Sequence, residues 1–178
     1  MRYIALALLM CATAAIAKPK AHFTITSPDF ANGDHIPVEF TCDCDGGKDN
    51  EKQLTIRFAN IPQGTEALVL IISDPDIPKD VKKRIGRKDF IHMVAYNIPG
   101  NVDKFDANSV GEYGKNSAGE KKYMGPCPPS GMHNYNVRAI AAKNMLPSNM
   151  DDVNKIVKLA EKQKIAEAKM SGTYSRKS

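Results

Sequence analysis

Apolar positions recur every second residue, or in unbroken runs, through most of this chain, and take a wider spacing only near its end. Residues His22 to Thr26 alternate and are rich in β-formers, with turn signals at Ser27-Pro28 and Asn32-Gly33-Asp34 after them. Ile36 to Thr41 predicts a second short strand, and Cys42 to Asn50 a polar Asp/Gly loop. Leu54-Thr55-Ile56-Arg57-Phe58 alternates strictly, as a strand with one buried face does. Ala67 to Ile72 is apolar without interruption, which predicts a strand buried on both faces. Phe90 to Tyr96 and Tyr135 to Ala141 complete the predicted strands. Residues 101–131 are rich in Gly, Asn, Ser and Pro, with little periodicity. Such a long irregular region inside a compact domain is commonly functional.

Toward the end, Val153, Ile156, Val157, Ala160, Ile165 and Ala168 recur near a 3.6-residue period, with Lys155, Lys158, Lys162 and Lys164 on the other face. This predicts a helix. Ser148 is its expected N-cap, Asp151 and Asp152 suit its positive end, and Gly172 stops the pattern. Thr173-Tyr174-Ser175 is expected to add a short strand. No internal repeat, low-complexity segment or domain boundary interrupts the order of strands first, then one helix.

Composition narrows the class. The chain has 178 residues, 42% apolar and 25% charged, enough for one cored domain. A net charge of +5 is basic without pointing to nucleic acid, and no nucleic-acid partner is expected. Arg2, the apolar stretch Ile4 to Ile16, and the small-x-small triplet Ala15-Ile16-Ala17 before Lys18 have the grammar of a signal peptide. Met10 precedes Cys11 where a lipoprotein would carry a small residue. The expected organisation is a signal peptide at residues 1–17 and a single domain at 18–178, with no membrane-crossing segment in the mature chain. The expected location is the periplasm or the exterior.

Export exposes cysteines to an oxidising compartment, so Cys42, Cys44 and Cys127 are expected to form one disulfide and leave one thiol. Cys42 and Cys44 are too close for an ordinary bridge, so Cys127 is the expected common partner. Three cysteines without paired CxxC spacing argue against zinc, and no metal is expected.

Three segments carry candidate chemistry. Asp74-Pro75-Asp76-Ile77-Pro78 follows the fully apolar strand and holds a carboxylate at its end between prolines. His92 sits inside the apolar strand Phe90 to Tyr96, where both ring nitrogens need partners. Tyr123 to Tyr135 is a stiff proline-rich loop carrying Gly125, Cys127, Pro128, His133 and Tyr135. Its prolines leave little entropy to lose when it walls a pocket.

These segments, in this order, resemble the phosphatidylethanolamine-binding protein family, which includes the Raf kinase inhibitor proteins and exported bacterial relatives. The matching residues are Asp74-Pro75-Asp76-Ile77-Pro78; His92 with Asn97-Ile98-Pro99; and Gly125-Pro126-Cys127-Pro128-Pro129-Ser130-Gly131 with His133 and Tyr135. Gly172-Thr173-Tyr174 also looks like the bacterial members. The resemblance implies a mostly β fold of two packed, largely antiparallel sheets, with a C-terminal helix at one side. It implies a small anion pocket lined by Asp74, His92, His133 and Tyr135, with Gly125 in its loop and Pro78 and Pro128 shaping its rim. Asp74 is expected to orient a histidine and raise its pKa. Exported relatives pair a Cys of a Cys-acidic-Gly-Gly segment with the Cys before Pro-Pro. This favours Cys44–Cys127, with Cys42 as the other partner consistent with the family. The sequence departs from the family at residues 50–58, at Met93 in place of Trp, at Asn134 in place of Arg, and in the long basic insert Lys79 to Ile91.

What this implies is an exported binding protein for a phosphate-type group: a phospholipid headgroup or a phosphorylated ligand. A protein partner docked on the pocket rim is the other expectation from the family. Enzymatic turnover is not expected. The chain lacks Gly-x-Ser-x-Gly, His-Glu-x-x-His and a phosphate-binding glycine loop, and no cofactor is implied.

Overall fold

The structure, a computed structural model, describes residues 21–176. The predicted signal peptide at residues 1–17, with Cys11, lies outside the described residues. The strands are β1 (Thr24–Thr26), β2 (Ile56–Ala59), β3 (Ala67–Asp74), β4 (Phe90–Pro99), β5 (Lys104–Phe105), β6 (Glu112–Tyr113), β7 (Met132–Ala142) and β8 (Lys164–Ser175). The helices are α1 (Lys79–Ile85) and α2 (Val153–Lys162). One sheet has the order β1-β2-β5, the other β6-β4-β3-β7-β8, and every pairing is antiparallel. The two sheets and predominant β content agree with the sequence expectation.

Two apolar clusters explain the patterning. Ile25, Ile56 and Phe58 of the small sheet meet Leu68, Leu70, Ile72, Met93, Ala95, Val137 and Ala139 of the large sheet. On the opposite face of the large sheet, Val69, Ile71, Val94, Tyr96 and Ile140 meet Val153, Ile156 and Ala160 of α2. β3 is therefore covered on both faces, which is why its sequence does not alternate.

Two expectations need correction, and a segment that carried no expectation folds as a helix. Ile36 to Thr41 is not a strand. A single 3-10 turn occupies Val38–Phe40 after Pro37, whose missing N–H suits a turn entry. The insert Lys79 to Ile91 contains α1, started after Pro78 and stopped by Gly86 at φ 64°. The terminal helix is shorter than its apolar spacing suggests. Asp152, not Ser148, is its N-cap, accepting from the Asn154 N–H at 2.8 Å. It ends at Lys162, and residues 164–175 are strand. There Ala168, Met170, Gly172 and Tyr174 point inward at every second position. The residues Ile165 to Lys169 suit a helix locally, but β8 pairs along the whole of β7, and those ladder bonds outweigh local preference.

Candidate functional site

The site gathers where β3, β4 and β7 end beside the proline-rich loop. A break in β3–β4 register places the first histidine. Ile72 pairs with Met93 and Ser73 with Ile91, so His92 is the extra residue of a bulge. Such a bulge turns its side chain out of strict alternation. The loop is laced to the His92 backbone, since the Met124 N–H donates to the His92 carbonyl at 3.0 Å. In return, His92 Nδ1 bonds the Met124 carbonyl at 2.8 Å. A carbonyl only accepts, so Nδ1 carries the hydrogen and Nε2 of the neutral ring is bare.

Asp74 closes β3. Its Oδ1 accepts from the Asp76 N–H at 2.7 Å, and its Oδ2 binds His133 Nδ1 at 2.7 Å. Asp76 Oδ2 in turn accepts from the Asn134 backbone N–H at 2.8 Å and from its side-chain amide at 2.7 Å. Those Asn134 bonds hold the Asp76 carboxyl below its ordinary pKa. The Asp-Pro-Asp turn is thus bolted to the start of β7, and Asn134, a departure from the family pattern, is one of the bolts.

On its other side the loop lies against residues 38–42. The Cys42 N–H donates to the Pro126 carbonyl at 3.1 Å, and the Gly125 N–H to Glu51 Oε1 at 3.0 Å. A β-carbon on Gly125 would stand 2.5 Å from the Phe40 carbonyl oxygen, so only glycine permits this approach. The pairing sets Cys42 opposite Cys127, Cα atoms 5.4 Å apart, and these two form the disulfide. The favoured Cys44–Cys127 pairing is therefore corrected to Cys42–Cys127. Cys44 has already entered the next turn, where it is buried and free, its thiol donating to the Gly47 carbonyl at 3.3 Å.

These elements enclose a cavity of about 230 Å³. Of the expected residues, Asp74, Pro78, His92, Gly125 and Pro128 line it. His133 and Tyr135 are not among the lining residues. Both are buried and face inward on β7, His133 bonded to Asp74 and the Tyr135 ring edge-on to His92 at 5.2 Å. Sequence reading missed Lys48, Ile77, Val81, Phe90, Met124 and Pro129 in the wall. Pro129, Ile77, Phe90 and Met124 stood inside or beside the recognised segments, so adjacency was an available signal. Lys48 and Val81 had none.

Electrostatically the wall is sparse. Burial pushes the His92 pKa below its ordinary value, against the opposing pull of the Met124 carbonyl and Asp74. Asp74 orients His133 and not His92, and at His92 desolvation of an enclosed imidazolium outweighs the one nearby carboxylate. Burial, then the Asp74 charge, pushes the Tyr135 phenol well up, so it stays a donor. Its hydroxyl is buried with no hydrogen-bond partner among the described residues. Among the described residues no group of three or more His, Cys, Asp or Glu is placed to hold a metal ion, and no helix is long and apolar enough to cross a membrane.

Comparison with known proteins sets this fold and site in a family. The sequence profile described as phosphatidylethanolamine-binding protein matches residues 26–175, and the chain belongs to that family. The UPF0098 protein of Chlamydia pneumoniae is 31% identical over 157 residues, covering 85% of this chain and 98% of that protein. The crystal structure of a phosphatidylethanolamine-binding protein homolog from Chlamydia trachomatis is similar at TM-score 0.79 and 29% identity, covering 88% of this chain and 99% of that one. E. coli YbcL shares the fold at TM-score 0.74 and 22% identity, covering 88% of this chain and all (100%) of its own.

Proposed function

We propose that this chain is an exported binding protein that holds a phosphate-type group, such as a phospholipid headgroup, in the His92 cavity without turning it over. The observation that carries this reading is a buried histidine at the wall of a small cavity. At about 230 Å³ the cavity is below the ~300–1,000 Å³ of drug-sized ligand sites, so it suits a headgroup and not acyl chains. Lys48 adds a cation to the wall. The signal-peptide pattern and the disulfide support export. The disulfide also ties up the Cys127 sulfur at the cavity wall, leaving no thiolate there to attack a bound group, which favours binding over catalysis.

The tautomer defines how binding works. With its hydrogen on Nδ1, neutral His92 presents only a lone pair to an anion. An anion gains an N–H donor there only when Nε2 takes up a proton, and its charge then offsets the desolvation that keeps His92 neutral. Binding is therefore coupled to proton uptake. The test is an NMR titration of residues 18–178 with inorganic phosphate and with glycerophosphoethanolamine, a phosphodiester whose phosphate charge is constant near neutrality. Saturable shifts at Asp74, His92 and Gly125 are expected, and their loss in His92→Ala. Absence of any shift at millimolar ligand refutes the reading.

A further inference from the structure

A second concavity lies on the outer face of the large sheet, beside α2 and away from the His92 cavity. It is a trough of about 560 Å³ floored by Ile71, Ile91, Val153 and Val157. It shares Arg87 with two flanking hollows, which bring in Arg84 of α1 and Lys88 of the following turn. Lys158 enters from α2. Other cations around it are neutralised: Lys115 by Asp151 at 2.8 Å, Lys169 by Glu167 at 3.0 Å, and Arg138 by Glu161 and Glu167. Arg84, Arg87, Lys88 and Lys158 make no ion pair among the described residues. Against them stand Asp89 and Asp152 in the walls, and Asp152 is occupied capping α2. The basic insert, which sets this chain apart from the family pattern, supplies three of the four free cations.

We propose that this trough docks an extended acidic segment of a partner protein. One apolar side chain rests on the floor, carboxylates on either side meet Arg84, Arg87 and Lys88 at one end and Lys158 at the other, and the Asn136 and Asn154 amides in the wall are placed for the segment's backbone. Other anions fit less well. Inorganic phosphate leaves the apolar floor unused. A bilayer is flat and does not fill a concavity. No Phe, Tyr or Trp lines the trough or its flanking hollows to stack on bases, so a single-stranded nucleic acid lacks its usual platform.

The experiment is an NMR titration of residues 18–178 with the blocked peptide Asp-Glu-Leu-Asp-Glu, beside Lys-Lys-Leu-Lys-Lys as control. Saturable shifts are expected at Arg87, Asn154 and Lys158, weakening as salt is raised. The double variant Arg87→Glu/Lys158→Glu is expected to lower peptide affinity by roughly tenfold or more. Because neither side chain is paired, the variant keeps its fold by circular dichroism and its glycerophosphoethanolamine response at His92. The proposal is overturned by no saturable shift at millimolar peptide, by equal binding of the lysine control, or by an unchanged affinity in the double variant. It is also overturned if the peptide is inert while phosphatidylglycerol vesicles sediment the wild type and not the double variant, which would make the surface lipid-directed. None of these outcomes depends on the His92 cavity.

Discussion

Replacing Cys42 and Cys44 one at a time by serine separates two neighbours with opposite roles. The bridge spans a sequence separation of 85 residues. In the chain-entropy account, opening a loop of that size lowers stability by about 4–5 kcal/mol. Against a typical ~5–15 kcal/mol for a whole domain, Cys42→Ser removes roughly a quarter or more. With an m-value of about 2 kcal/mol per molar urea, the unfolding midpoint falls by roughly 2 M. Cys44→Ser keeps a donor for the Gly47 carbonyl in a site of similar size, so its cost is under about 1 kcal/mol. The assay is urea unfolding of residues 18–178, followed by circular dichroism, with thiols counted after unfolding without reductant. The wild type shows one thiol, Cys44→Ser none and Cys42→Ser two. If Cys44→Ser instead shows the large loss and two thiols, the bridge is Cys44–Cys127 and the argument from the Cys42–Pro126 hydrogen bond fails. If Cys42→Ser shows none, Cys44 has reached Cys127, and the turn after Cys42 does not hold it away.

Five further outcomes are expected. The affinity for glycerophosphoethanolamine rises as pH falls from about 7.5 to 5.5, because bound anion favours protonated His92; a flat profile refutes proton-coupled binding. The ligand-free protein loses stability over the window below the unfolded histidine pKa of about 6.5, where the unfolded chain takes a proton that buried His92 resists, and thermal melts of His92→Gln show a shallower decline. Asp74→Ala strands the His133 Nδ1–H and the Asp76 N–H, so chemical denaturation reads a loss of about 2–4 kcal/mol; a loss near zero refutes the bolted turn. Gly125→Ala drives a β-carbon onto the Phe40 carbonyl, costs at least about 1–3 kcal/mol, and moves NMR signals at Cys42 and His92; unshifted signals refute the close approach. Glu112, with its carboxyl pKa held down to about 2 by the Asn149 N–H, Asn97 and Tyr96, stabilises fully above about pH 4.5 and loses that contribution as pH falls toward 2; Glu112→Gln flattens this part of the acid-unfolding curve.

Most of the strand content was legible because it rests on local rules. Ala67 to Ile72 reads as a buried strand from its unbroken apolar run. The three motif segments singled out Asp74, His92, His133 and Tyr135 through their family resemblance, and of these Asp74 and His92 line the cavity. The failures sit where a distant partner decides. Residues 164–169 read as helix until β7 supplies a full ladder of hydrogen bonds. Cys44 fits its local motif, but the backbone bond from Cys42 to Pro126 chooses the other cysteine.

The sequence by itself determined the predominance of strands and, through the order of its motifs, the family, and with it the histidines, the tyrosine and the carboxylate at issue, because periodicity, prolines and motif spacing are properties of neighbouring residues. The tertiary structure decided which of those groups line the cavity, which way the His92 pKa moves and where free cations collect. Those outcomes depend on a register slip between β3 and β4, on burial, and on whether each charge finds a partner far away in the chain. None of these is written in the spacing of the residues themselves.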